Sequence, residues 1–152
     1  IALGCDCLYR ITHPMDCIGI GKGALQGRPD SVNWNDPTTW QYVSKFVAIG
    51  TGAAFIENGQ FVQRSVYIGY GCGYTGVGSD STCVGDGIKA PHNNVLVLGF
   101  AAESDKNNQA VLGNKNMTET KIFGDVLVRG TDGVKRRIVF NNDNTVTWEA
   151  VT

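Results

Sequence analysis

Eight times along the chain a short run of alternating apolar residues stops at a glycine: IALG, IGIG, VAIG, VYIG, TCVG, LVLG, AVLG and KIFG. The closing glycines are Gly4, Gly21, Gly50, Gly69, Gly85, Gly99, Gly113 and Gly124. The residues just before them, Leu3, Ile20, Ile49, Ile68, Val84, Leu98, Leu112 and Phe123, are apolar without exception. Two positions earlier stand Ile1, Ile18, Val47, Val66, Thr82, Leu96, Ala110 and Lys121. A period of two over a few residues is the pattern of a short β-strand with one buried face, and the alternating apolar set is expected on that face. The glycine supplies a backbone turn that other residues make only with strain. Each repeat therefore reads as one strand and one corner. Three positions past the glycine a small residue recurs at Cys7, Ala24, Ala53, Cys72 and Ala102, as a crowded inner corner requires, with Ile88 and Asn116 as exceptions. Two of the glycine-to-glycine gaps are 14 residues, which sets the basic period, and longer gaps read as loops inserted between the coils of a solenoid.

Twenty glycines in 152 residues, about twice the usual share, fit a fold that repeats a special backbone geometry. The net charge is only −1, and no basic cluster exceeds Lys135, Arg136 and Arg137, so the electrostatic footprint of a nucleic-acid-binding protein is missing. No apolar run approaches the roughly 20 residues needed to cross a bilayer as a helix, and no membrane insertion is expected. The chain has no starting Met and no signal peptide, and is expected to be a fragment or a processed product. Cys5, Cys7, Cys17, Cys72 and Cys83 are odd in number and lack the spacing of zinc knuckles. Cys7 and Cys72 fall on the small-residue position and Cys83 within a strand, where a thiol acts as a small apolar group. Sequence alone assigns no disulfide, and the thiols suit synthesis in a reducing cytoplasm. No cofactor or metal is implied.

Residues 1–124 hold the repeats. Their largest insertion, about 27–45, contains Trp34, Trp40 and Tyr42 among Asn, Asp, Ser and Thr. Such amphipathic rings stack on sugars or fill a protein interface, and equally they can cover one end or one edge of the narrow roll. A second, Gly-rich insertion, GYGCGYTGVGSDST, carries Tyr70 and Tyr74. These five aromatic residues are the candidate ligand-binding positions. From 125 to 152 the pattern changes to strand and turn signals: Val126 and Val128, a turn at Thr131 to Gly133, a strand at Ile138 to Phe140, a turn at Asn141 to Asn144, and alternation from Thr145 to Val151. A short β-meander or an interwoven triple-β segment is expected there. Fourteen-residue coils are too narrow to enclose a full core, so apolar surface must be buried between chains and an obligate oligomer is expected.

The register of FVAIGTGAAF, SVYIGYGCGY and NVLVLGFAAE resembles the head repeat of trimeric autotransporter adhesins, and equally the same repeat in bacteriophage tail fibres and tailspikes. The resemblance spans about four fifths of the chain. It implies an all-β fold, a left-handed parallel β-roll of about eight irregular coils, assembled as a homotrimer. The passage NKNMTETKIFGDVLVRGTDG followed by RIVFNNDNTVTWEAV resembles the stretch before an endosialidase-type intramolecular chaperone domain, which in that family trimerises the preceding β-structure and cleaves itself off. That resemblance places Thr152 at the proteolytic maturation end and the protein in the virion, in a phage tail made in the host cytoplasm. The absence of a heptad pattern favours the phage fibre over an adhesin head, whose family continues into a coiled-coil neck.

Two functions follow from the resemblance. One is a receptor-binding module that engages a host cell-surface glycan or outer-membrane receptor with three weak sites. The other is a purely structural trimerisation segment downstream of a polysaccharide-degrading domain. Tailspikes that cleave polysaccharide use paired carboxylates, but Glu57, Asp86, Glu103, Asp105 and Glu119 are scattered in loop-like segments, and His13 and His92 sit beside prolines in turns. No catalytic residue is assigned, and the chain is expected not to be an enzyme.

Overall fold

The computed structural model describes residues 1–27, 41–56, 60–122, 126–129, 134–140 and 146–150. Among them every regular element is a β-strand. The chain divides into two units, Ile1–Asn116 and Met117–Thr152.

The first unit holds β1 (Ala2–Leu3), β2 (His13–Met15), β3 (Ile18–Ile20), β4 (Gln26–Gly27), β5 (Tyr42–Ile49), β6 (Phe55–Ile56), β7 (Phe61–Ile68), β8 (Thr82–Val84), β9 (Val95–Leu98) and β10 (Gln109–Leu112). Seven of these form one sheet in the order β1-β3-β5-β7-β8-β9-β10, with β2 also paired to β5, and every pairing in it is parallel. Register follows the glycine repeat: Ile20 faces Ile49, Ile49 faces Ile68, Ile68 faces Val84, Val84 faces Leu98 and Leu98 faces Leu112. Parallel neighbours in sequence order oblige the chain to return to the same side before each new strand. The β4–β6 pair and the parallel bridges Val77–Ala90 and Lys89–Glu103 are rungs on that return path.

The repeating glycines are adjacent rungs of one column. The amide of Gly50 donates to the Ile20 carbonyl at 2.8 Å, and Gly69, Gly85 and Gly99 repeat the bond onto Ile49, Ile68 and Val84. Gly50 and Gly69 take φ of 127° and 134°, and a Cβ built on Gly69 would lie 2.6 Å from the Gly85 carbonyl carbon. Backbones approach so closely here that neither the conformation nor the space admits a side chain. Seven of the eight expected repeats join this sheet. At the eighth, Lys121 and Ile122 form no strand, Phe123 and Gly124 lie outside the described residues, and the segment belongs to the second unit.

The unit's own core is filled from the face opposite to the alternating apolar set. Gly19, Ala48, Tyr67, Cys83 and Val97, between the alternating apolar positions, are all buried. Leu3, Ile20, Val84, Leu96 and Leu112 are exposed instead, and Ile49, Ile68 and Leu98 half-buried. On these rungs the interior takes Gly, Ala, Cys, Val and one flat ring, while the side chains on either side of them along each strand point outward. Tyr67 is the large exception: its ring stacks on Phe46 at 5.4 Å, and Gly73 makes room for it, since a Cβ there would sit 2.6 Å from the ring. The phenol donates to the Ala90 carbonyl and accepts from the Gly78 amide, both at 2.9 Å. Ala24, Ala53, Cys72 and Ala102 are buried as expected, and Ile88, the exception to the small-residue rule, is accommodated at 1% exposure.

The two insertions are shorter than the sequence suggests. Tyr42 to Lys45 belong to β5 rather than to the loop, and Gln26–Gly27 form β4. The Gly-rich segment after Gly69 is mostly part of the stack, with Cys72 and Val77 buried and Val77 bridged to Ala90.

All five cysteines are free, with Cys72 and Cys83 fully buried. Burial pushes the Cys72 thiol up to about 12 and the Cys83 thiol up to about 11, from an ordinary 9.0. The neutral thiol is the form the fold holds, so the unfolded chain loses these protons first as the pH rises. Stability is therefore expected to be full below pH 9 and to fall between pH 9 and about 11, each thiol contributing a slope of about 1.4 kcal/mol per pH unit. Urea titrations across that range should show the slope in the wild type and a shallower one in Cys83→Ala. Identical slopes would contradict a buried, neutral Cys83.

The second unit contains β11 (Leu127–Arg129), β12 (Lys135–Phe140) and β13 (Val146–Ala150), an antiparallel three-stranded sheet in chain order. This is the meander expected from the alternation; its two turns and Thr152 lie outside the described residues.

Candidate functional site

The outer face of the parallel sheet is the first candidate. In it the side chains before each glycine form one apolar column, Leu3 through Leu112, and those two positions earlier form a second, from Ile1 through Val47 and Val66 to Leu96. Ile1, Leu3 and Leu112 are more than half exposed. A continuous apolar sheet face of this kind is unusual on a protein surface and marks an interface. It also lacks charge: every described position in the two columns is apolar except Thr82.

The second candidate lies beyond the corner glycines, on the turn that follows them. Tyr70 and Tyr74 are strongly exposed and line one groove with Thr51, Thr75 and Lys89. The ring of Tyr74 packs against Phe55, centroids 5.3 Å apart. Lys89 pairs with Glu103 at 3.7 Å.

Of the aromatic residues singled out in the sequence, three are among the described residues, and of these Tyr70 and Tyr74 come together. Tyr42 is in β5, where it stacks on His13 at 4.6 Å and tilts toward Phe61 at 6.2 Å. Trp34 and Trp40 lie outside the described residues, as does Glu57. His13 lies in β2 rather than in a turn, while His92 is in the bend before β9, half-buried, with Nδ1 3.0 Å from the Ser104 hydroxyl. Among the described residues no three His, Cys, Asp or Glu side chains are grouped to hold a metal ion, and no helix is long and apolar enough to cross a membrane.

One feature of the stack escaped the sequence reading. Asp16, Lys45, Arg64, Asp80, Asn94 and Asn108 all take positive φ, between 52° and 58°, and all stand five residues before a corner glycine. They build a second corner column without glycine. Asn and Asp tolerate this left-handed conformation because their side chains bond locally, while Lys and Arg adopt it under strain. The neighbours bond along the column: Asn94 donates to Asn108 at 2.8 Å, and Arg64 grips Asp80 with two guanidinium nitrogens, the second at 2.9 Å. That contact holds the Asp80 carboxyl below its usual range. The fixed spacing of five from the glycine was the available signal, and the mixed chemistry of the six residues hid it.

Comparison of the chain with protein-family models, with curated protein sequences and with solved structures finds no match.

Proposed function

We propose that this chain is the distal module of a bacteriophage tail fibre or tailspike: a left-handed parallel β-roll, assembled as a homotrimer, that binds a host cell-surface receptor during adsorption. The outer face of the parallel sheet carries this reading. Its two apolar columns run the length of the stack, and among the described residues their side chains stay half-buried or exposed. Three such faces turned toward a common axis exclude water from all of them at once, and the number three follows from the resemblance to trimeric fibre heads. Burying Leu, Ile and Val side chains contributes about 1.5–3 kcal/mol each, and the face repeats them on every rung.

The receptor is a glycan or an outer-membrane component, and threefold presentation lets weak sites act together. The chain works by binding rather than by catalysis. Sedimentation equilibrium is expected to give three times the 16.3 kDa chain mass. Labelled trimer is expected to decorate the surface of a restricted set of bacterial strains. A monomer at nanomolar concentration with an intact β-sheet spectrum would defeat the assembly, and uniform failure to decorate cells across a broad strain panel would defeat the receptor role.

A further inference from the structure

The turn after the corner glycines holds a groove of roughly 380 Å³. Its floor is bare backbone. Gly52, Gly71 and Gly87 occupy the second position past three successive corner glycines, and the amides of Gly71 and Gly87 bond to the Thr51 and Tyr70 carbonyls on the rungs before them, both at 2.9 Å. The walls are Tyr70 and Tyr74, 67% and 60% exposed.

The three glycines have φ of 58–64°, but the same column also holds Asp6 at 55° and Ala101 at 49°. The backbone therefore admits a side chain at this position. Steric crowding does not exclude one either, since a Cβ on Gly71 or Gly87 would meet nothing within 4 Å. What glycine achieves at 71 and 87 is an open floor between two exposed rings. This is the reverse of the Gly50 and Gly69 column, where a side chain has no room.

The geometry points to this groove as a binding site for one neutral pyranose ring of a surface polysaccharide, an inference that rests on the receptor-binding reading above. The C–H face of a pyranose is apolar and packs on an aromatic ring, while its hydroxyls need polar partners at the rim. The tyrosine rings provide the first, and Thr51, Thr75 and Lys89 stand at hand for the second. A bare glycine floor lets the sugar approach the backbone closely. The charge balance sets the sugar's class: Lys89 is the charged residue of the lining, and Glu103 beside the groove pairs with it at 3.7 Å and offsets its pull on an acidic sugar. A nucleic acid would bring phosphates to a chain with net charge −1 and no basic cluster larger than Lys135, Arg136 and Arg137. The volume lies within the range of small-ligand sites. Because the groove follows the corner glycine and the apolar sheet face precedes it, binding and assembly use different sides of the coil.

The test is saturation-transfer NMR on the full chain with methyl glycosides of glucose, galactose, mannose and N-acetylglucosamine, and glucuronate as the charged probe. At least one neutral glycoside is expected to receive magnetisation through the C–H groups of one ring face. Tyr70→Ala and Gly87→Asn, the second filling the floor with a residue that tolerates this φ, are each expected to weaken that binding about tenfold. Sedimentation and circular dichroism should stay as in the wild type. Binding unchanged in both variants would place the sugar elsewhere and overturn the groove while leaving the receptor reading intact. Binding of none of the neutral glycosides, or preference for glucuronate, would also overturn it. Sugar binding lost in both variants by a protein that decorates no cells would support the groove and defeat the receptor reading.

Discussion

Gly69→Ala is expected to abolish the cooperative fold of the repeat unit, while Gly71→Ala, two residues later, leaves it standing. At Gly69 the added methyl meets the Gly85 carbonyl, with 2.6 Å to the carbon, and the φ of 134° is one an alanine does not hold without strain. Neither partner can move alone, because Gly69 and Gly85 are bonded rungs and Gly85 is in turn packed on Gly99. A loss above about 4 kcal/mol is expected, in the range that marks a specific steric failure. At Gly71 the methyl meets nothing within 4 Å, and Ala101 already occupies the same column at φ 49°. The cost there is about 1–2 kcal/mol, that of the left-handed conformation alone. Urea unfolding followed by circular dichroism separates the two, and comparable losses at both positions would refute a close-packed backbone column.

Ile68→Asp is expected to turn the proposed trimer into a monomer without unfolding the chain. Ile68 projects from the outer sheet face between Ile49 and Val84, whereas Tyr67, its neighbour, points into the unit's own core beside Phe46. A carboxylate there is tolerated in a single solvated copy. In the assembly each interface would have to desolvate an unpaired charge, which costs several kcal/mol per ion, so association should weaken by at least about a thousandfold. Tyr70→Ala, on the far side of the corner glycine, is the matched control and should leave the mass unchanged. Sedimentation velocity over a range of concentrations reads both. An undiminished oligomer with Asp at position 68 would mean that this face is not the interface.

Strand and corner positions were legible because both rest on local rules. A period of two reports a strand wherever it occurs, and a glycine repeated at one offset from it reports a corner. The buried small residues Ala24, Ala53, Cys72 and Ala102 followed from the same offset, and so did the C-terminal meander from its own alternation. The candidate groove was only half visible. Tyr70 and Tyr74 could be picked out as aromatic residues in a Gly-rich segment, but nothing local joined them to Thr51 or Lys89, which lie on other rungs. Tyr42 looked equivalent to them in composition and is drawn into β5 instead, because its register with His13 and Phe61 is set by neighbouring strands.

The order and spacing of seven strands along the chain, and the corner glycine that closes each, were therefore determined by the sequence alone. Which side of each strand faces inward was decided only by the tertiary structure. Alternation names two faces but not their fates, and an apolar face satisfies the same pattern whether it meets the chain's own interior or another copy. The packing of the coil made that choice: on these rungs its interior takes Gly19, Ala48, Cys83 and Val97 with one stacked Tyr67, and so leaves Ile20, Ile49, Ile68 and Leu98 on the outer face.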